Sequence, residues 1–521
     1  MISDEEEQYN QHQQQHYHGE RSPLFIKQKS STASSYENLH DNASGGTTTA
    51  GSSAAAAARD DIQSITSHTT KGSSSITSVG INLAKTAAGT GILALPYACR
   101  EGGLLLFIFG TIVIAVWNVW GVSRFCECLE LLRQSQDQYS HTPRAPFGTE
   151  PLAKIAYYAT TTSKGDEWGL TALDVMLLSL LCGIVIAYEN AIRAFSPYTT
   201  GSDAFDAVIL ASILTPLCMT DDLSKLSKLS HMGLVVLGMA ILVIAGYGVV
   251  GYDPDNYTDT QVFTWLPRNG LEGVSRWFGC VVFGFGIVPL TFNFRESMQE
   301  PQRLPKVALV SMLLVATMYI ITGVGLLYLY PVIDADVLSQ IPNNEWLATI
   351  TRLAMIVVVV ATAPLLLIPC SLIVEGKLHN HDSEIHPRTR LLTRICLCFG
   401  TVAVSVMVPE FVLVLSFVGC FSVALVSFCV PPLLHCILLI RHQSKAAQLQ
   451  SSSSSSRAYS RVSVSNPISN GGSNNSIGAS ANGSNTSAIA VDCVALLFGI
   501  ITTVVTTLFT IRKAMNEGKT S

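Results

Sequence analysis

Asn82 to Ala98 read NLAKTAAGTGILALPYA, and inside this stretch Gly89-Thr90-Gly91-Ile92-Leu93-Ala94 has the G-x-G-x-x-G/A spacing of a dinucleotide-binding turn. Such a turn needs a strand before it, a βαβ unit around it and an acidic residue about 20 positions later. Here the glycines interrupt an apolar run, Pro96 follows closely, and no acid stands near residue 110. The glycines therefore serve another purpose. Backbone within a membrane is non-helical only where it is buried in protein or lines a cavity. A helix broken at Gly89-Thr90-Gly91 frees amides and carbonyls at mid-membrane depth, and the start of the second half-helix, near Ile92, is suited to a carboxylate. Close helix packing on small residues is the bland alternative.

The rest of the chain supports the membrane setting. Of 521 residues, 48% are apolar and only 13% charged, about half the charged share of an ordinary globular domain. Eleven apolar spans are expected: Ile76–Ala98, Leu104–Cys126, Leu170–Phe195, Ala204–Met219, Met232–Val250, Trp277–Phe294, Val307–Leu329, Leu347–Val374, Leu391–Val408, Phe411–Ile440 and Val491–Ile511. The fourth and ninth are short for a crossing of about 20 residues. The sixth carries a second interruption, FGFGIVPLTFNF, with Gly284, Gly286 and Pro289. Matching interruptions in two halves of a chain point to a transporter site built from inverted repeats.

Residues 1–75, rich in Gln, His, Ser, Thr, Gly and Ala, read as a disordered cytosolic tail without the apolar core of a signal peptide. Residues 76–440 form the core, and 441–490 a Ser/Asn/Gly-rich linker. The segment 491–511 is an eleventh helix, and 512–521 a short tail. With the N-terminus in the cytosol, seventeen Lys and Arg of the connecting segments fall on the inner side and seven on the outer. The same orientation puts the sequon at Asn256 outside, a glycosylation site, and those at Asn474, Asn482 and Asn485 inside. No basic stripe suits nucleic acid. The thirteen cysteines, mostly inside apolar runs, read as small hydrophobes, and no His/Cys/Asp cluster has metal or catalytic spacing. Neither an enzyme nor a resident cofactor is expected.

NLAKTAAGTGILALPYA resembles the first helix of the amino acid/auxin permease family, in which an Asn or similar residue precedes a G-[ST]-G-[IL]-L-x-L-P signature. RLAMIVVVVATAPLLLIP in the eighth span looks like a segment of that family's sodium-coupled neutral amino acid transporters. ESMQEP, Glu296 to Pro301, is similar to the family's close of the sixth helix. The resemblance covers Ile76 to Ile511. It implies an all-α membrane fold of eleven helices, a five-plus-five inverted repeat with helices 1 and 6 broken and one helix appended. The implied activity is ion-coupled transport of amino acids, with neutral ones expected here.

In that setting the backbone at Gly89, Thr90 and Gly91 would hold the substrate carboxylate, and carbonyls near Phe283, Gly284 and Phe285 the ammonium. Phe283 and Phe285 either shape the side-chain pocket or face lipid. Tyr188 either offers its hydroxyl to the substrate or sits as an interfacial tyrosine. Asn82 and Thr362 match family positions that give oxygens to sodium; each serves equally well as an interhelical hydrogen-bonding group. Lys85 either snorkels to the cytosolic interface or closes an inner gate. The sixth span lacks the histidine of the sodium-coupled branch, having Ile287-Val288-Pro289. That departure favours protons over sodium as the coupling ion. ERSPLF, Glu20 to Phe25, resembles an acidic dileucine signal and suggests sorting adaptors and a vacuolar or lysosomal membrane rather than the plasma membrane. The rival class is an amino acid sensor signalling through its N-terminal tail.

Overall fold

The structure is a computed structural model that describes most of the chain from Arg59 to Glu517. Outside the described residues lie 1–58, 66–71, 162–166, 197–200, 220–222, 252–262, 379–386, 462–475, 518–521 and a few shorter stretches. The sequon at Asn256 and the Glu20–Phe25 motif therefore fall outside them, as does Asn474.

Every described element of any length is helical. The first apolar span forms α1 (Ile76–Ala87), a 3₁₀ turn (Thr90–Ala94) and α2 (Leu95–Leu105). A π turn then leads into α3 (Thr111–Gln134). A short helix, α4 (Pro151–Thr160), precedes α5 (Trp168–Phe195), α6 (Asp203–Cys218) and α7 (Leu223–Val250). The sixth span is again two pieces, α8 (Leu271–Gly284) and α9 (Thr291–Ser297), joined through a 3₁₀ turn at Val288–Leu290. Then come α10 (Leu304–Leu329), α11 (Trp346–Leu378), α12 (Pro387–Met407), α13 (Phe411–Val418), α14 (Val430–Arg461) and α15 (Ser476–Glu517).

Among the described residues nine helical runs are long and apolar enough to cross a membrane. The protein is thus an all-helical, multi-pass membrane protein. Two features separate this number from the eleven apolar spans. Residues Thr90–Gln134 follow one another as a run of 45 residues, but Gly103 within it is non-helical (φ 71°, ψ 159°), so the chain bends there between the first two spans. The fourth span forms a helix of only 16 residues, short of the roughly 20 needed to cross.

The helices sort into two groups by packing. α10 packs on α1, α2 and α3, and α8 on α2, while α5, α6, α11 and α12 pack on one another. The second group has its own apolar cluster, with Val185, Leu214, Val359 and Cys398. α13 lies against both α8 and α5. The contact with α8 is so close that a Cβ on Gly419 would lie 1.9 Å from the Gly279 carbonyl oxygen, so only glycine fits. α15 stands at the edge, its most apolar window 22% buried against 72% for the α8–α9 run.

Two stretches read as unstructured carry structure. In the tail, residues 59–63 are helical, and Asp61 and Ile62 are buried. Asp61 Oδ1 pairs with Lys154 Nζ at 2.8 Å, and the Tyr158 hydroxyl donates to Asp61 Oδ2 at 2.8 Å. One apolar side chain plus a satisfied charge is enough to hold a short segment on α4. Burial, reinforced by the Asp61 carboxylate, pushes the Tyr158 hydroxyl up from its ordinary pKa and keeps it a donor. In the expected linker, α14 continues to Arg461 and α15 begins at Ser476. Extending an existing helix costs far less than nucleating one, so polar residues are recruited at both ends. All thirteen cysteines are free.

Candidate functional site

The break between α1 and α2 arises where three small residues meet a proline. Gly89 is extended (φ −93°, ψ −168°), a conformation open to any residue, and a Cβ there would meet nothing nearer than the Tyr188 hydroxyl at 3.9 Å. The Ala88 amide bonds back to Ala84 O, and the Gly89 amide to Ala87 O at 2.7 Å. The amides of Thr90 and Gly91 open the 3₁₀ turn and so have no carbonyl within it to bond. Pro96 sits in the first turn of α2, where a missing N–H costs nothing.

The second break is built alike. The Phe285 amide bonds to Val281 O and Val282 O, closing α8, and the Ile287 amide bonds to Phe285 O at 2.7 Å. Pro289 lies in the turn that starts the next helical piece. The Phe283 carbonyl accepts only a long bond of 3.4 Å from the Gly286 amide.

Both breaks open on one cavity of about 670 Å³. Its lining includes Lys85, Gly89, Thr90, Gly91, Tyr188, Phe283, Gly284 and Thr362, and it runs toward the face where α4 lies, α5 begins and α11 ends. A Cβ on Gly91 would come within 3.0 Å of the Phe283 ring, and one on Gly89 would lie 3.9 Å from the Tyr188 hydroxyl. Thr90 Oγ1 is buried and faces the Tyr188 hydroxyl. Two hydroxyls and two free amides thus gather at the first break, a donor set suited to an oxyanion. Around them, Leu181, Ile184, Met355 and Val359 supply an apolar wall.

Two of the expected residues are not in the cavity lining. Phe285 is fully buried, its ring centroid 5.1 Å from that of Tyr319 on α10. Asn82 stands on α1 one turn before the cavity lining begins, its carbonyl accepting from Thr86 Oγ1 at 2.8 Å. Thr362 lines the cavity while its hydroxyl donates to Val358 O of its own helix at 2.7 Å.

Two residues escaped the reading of the sequence. The Tyr319 hydroxyl donates to Ala87 O at 2.7 Å and lies 3.2 Å from Gly284 O, touching both breaks at once. Nothing in a tyrosine within an apolar run announces this. Glu189, next to Tyr188 on α5, is fully buried, accepts from Thr401 Oγ1 at 2.8 Å, and has a second oxygen without a partner. Its signal was available, since an acid deep in an apolar span marks function by default. Among the described residues no cluster of His, Cys, Asp or Glu suits a metal ion.

A cavity at two helix breaks inside a multi-pass membrane protein is the architecture of a small-molecule carrier. The chain belongs to the transmembrane amino acid transporter protein family, whose sequence pattern matches residues 72–467. It is not an enzyme. It is 24% identical over 401 residues to amino acid transporter ANT1 of Arabidopsis thaliana, covering 73% of this chain and 88% of that protein. Similarity also extends to the proton-coupled amino acid transporter-like protein pathetic of Drosophila melanogaster, 21% identical over 68% of this chain and 76% of that one. The sodium-coupled neutral amino acid symporter 2 of Danio rerio is 22% identical, over 72% of this chain and 78% of its own.

Proposed function

We propose that the protein is a proton-coupled carrier of neutral amino acids that works by alternating access. The observation that carries this reading is the meeting of both helix breaks in one cavity whose lining runs to one face. The amides of Thr90 and Gly91, with the hydroxyls of Thr90 and Tyr188, take the substrate carboxylate. Carbonyls at Phe283 and Gly284 take the ammonium. The surrounding wall is apolar, which suits an uncharged side chain. The five-plus-five inverted repeat gives the two helix groups their roles: α1, α2, α3, α8, α9 and α10 rock against α5, α6, α11 and α12, and α15 is the appended helix.

The excess of basic residues on one side supports a cytosolic N-terminus, which makes the open face cytosolic and leaves Asn256 on the other side for glycosylation. The Glu20–Phe25 motif supports a vacuolar or lysosomal membrane. Proton coupling draws on Glu189, an intramembrane carboxyl beside the cavity residue Tyr188. A sensor remains the second reading, favoured by one observation: the N-terminal segment at Asp61–Ile62 is buried against α4.

The test is uptake of labelled neutral amino acids by the full chain in liposomes. Uptake that rises with an imposed pH gradient and persists when choline replaces sodium is the expected result. Binding without exchange of label would instead make the protein a sensor, and collapse without sodium would make it a sodium symporter.

A further inference from the structure

We propose that Tyr319 is a positioning residue that latches the two helix breaks together and so sets the distance between the carboxylate-binding amides and the ammonium-binding carbonyls. The geometry is specific. Ala87 is the last residue of α1 before the first break, and Gly284 the last of α8 before the second. Both carbonyls point at one phenol oxygen, at 2.7 and 3.2 Å. A phenol carries a single proton. It donates to Ala87 O, the nearer acceptor, and Gly284 O waits as the second. A small movement of either break turns the hydroxyl from one carbonyl to the other, so the latch has two positions rather than one.

Three further observations fit this role. Gly284 is glycine where a Cβ would lie 2.5 Å from the Tyr319 hydroxyl, so the second break is shaped around that oxygen. The Phe285 ring leaves the cavity to pack against the Tyr319 ring. Tyr319 itself is 1% exposed on α10, which packs along both α1 and α2. A buried tyrosine ordinarily finds some acceptor for its hydroxyl. Here the acceptors are the end carbonyls of two broken helices, the elements a carrier must move together. Two carbonyls converging on one point also make a setting for a cation. The hydroxyl proton supplies the positive end on the buried side, and the Phe283 carbonyl, with the second lone pair of the Gly284 carbonyl, is left for the ammonium on the cavity side.

The inference rests on the carrier reading only in its uptake arm. The experiment compares wild type with Tyr319→Phe, as full chains in lipid nanodiscs, by hydrogen exchange at 87–91 and 283–287. Both segments are expected to exchange faster together, by roughly two- to tenfold, the factor that one net hydrogen bond is worth. Parallel uptake of tritiated leucine and alanine should show KM raised by a similar factor and the maximal rate per molecule within twofold. Exchange altered at one break only, or at neither, overturns the latch. So does a lower maximal rate at unchanged KM, the pattern of a merely structural residue. If Tyr319→Phe does not reach the membrane, Gly284→Ala pushes the hydroxyl aside and must loosen both segments in the same way. Wild type without uptake would sink the carrier reading, and the exchange comparison would still decide the latch.

Discussion

Thr401 donates its hydroxyl to Glu189 at 2.8 Å across the contact between α5 and α12. The other carboxylate oxygen of Glu189 is buried without a partner. The titratable groups facing it are Arg193 one turn on and Cys182 on its own helix, Cys398 on α12 and, further off, Cys218 on α6. On the proposed proton-coupled reading, this acid is the group that takes up and releases the proton. Glu189→Gln keeps the shape and the bond to Thr401 but cannot titrate. It is expected to abolish accumulation driven by a pH gradient while retaining exchange of labelled for unlabelled substrate. Accumulation equal to wild type would remove Glu189 from the coupling.

The first break predicts two different outcomes for its two glycines. A side chain at Gly91 meets the Phe283 ring at 3.0 Å or closer. Gly91→Val, bulkier and β-branched, wedges the two breaks apart and is expected to abolish uptake at normal membrane abundance. Gly89 has room, its nearest neighbour being the Tyr188 hydroxyl at 3.9 Å. Gly89→Ala should therefore raise KM by placing a methyl among the carboxylate donors, with the maximal rate retained. Near-normal uptake by Gly91→Val would end the broken-helix argument.

The docked tail predicts a change in proteolysis. Asp61 satisfies Lys154 and Tyr158 together. Asp61→Asn loses a charged hydrogen bond, about 1.5–3 kcal/mol, or roughly ten- to a hundredfold in the undocked fraction. Trypsin should cut after Arg59 faster by a comparable factor, while cuts beyond α4 stay unchanged. Equal cutting of both proteins would mean that the segment is held by something other than this pair.

How much of this was readable beforehand depends on whether a feature is local. Glycine and proline interrupting apolar runs marked both breaks, because a chain in lipid leaves its helix only for a reason. Thr90, Tyr188, Phe283 and Thr362 share the cavity because each lies on a span that carries or faces a break. Tyr319 was invisible: its two acceptors are backbone atoms of distant segments, and side-chain chemistry does not reveal a backbone partner. For the Phe285 ring the sequence left pocket and lipid as alternatives; it takes neither, because α8 ends at Gly284 and the turn directs Phe285 toward α10. Asp61 and Ile62 were submerged in a segment whose average composition says disorder, since two residues anchoring it leave the average unchanged.

The coupling ion gives the last prediction, and Asn82 and Thr362 carry it. A sodium site between α1 and α11 needs several hard oxygens that converge on one point. In the structure Thr362 Oγ1 donates to Val358 O, and Asn82 lies a turn outside the cavity lining. With a proton as the coupling ion, the pair serves only the packing of α1 and α11. Asn82→Ala and Thr362→Ala are then expected to lower the maximal rate modestly, alike in sodium and in choline. Neither should change the dependence on the pH gradient. Sodium coupling predicts the opposite pattern: uptake vanishes in choline, and Thr362→Ala raises the sodium concentration needed for half-maximal transport. A titration of uptake against sodium in wild type and both variants decides between them.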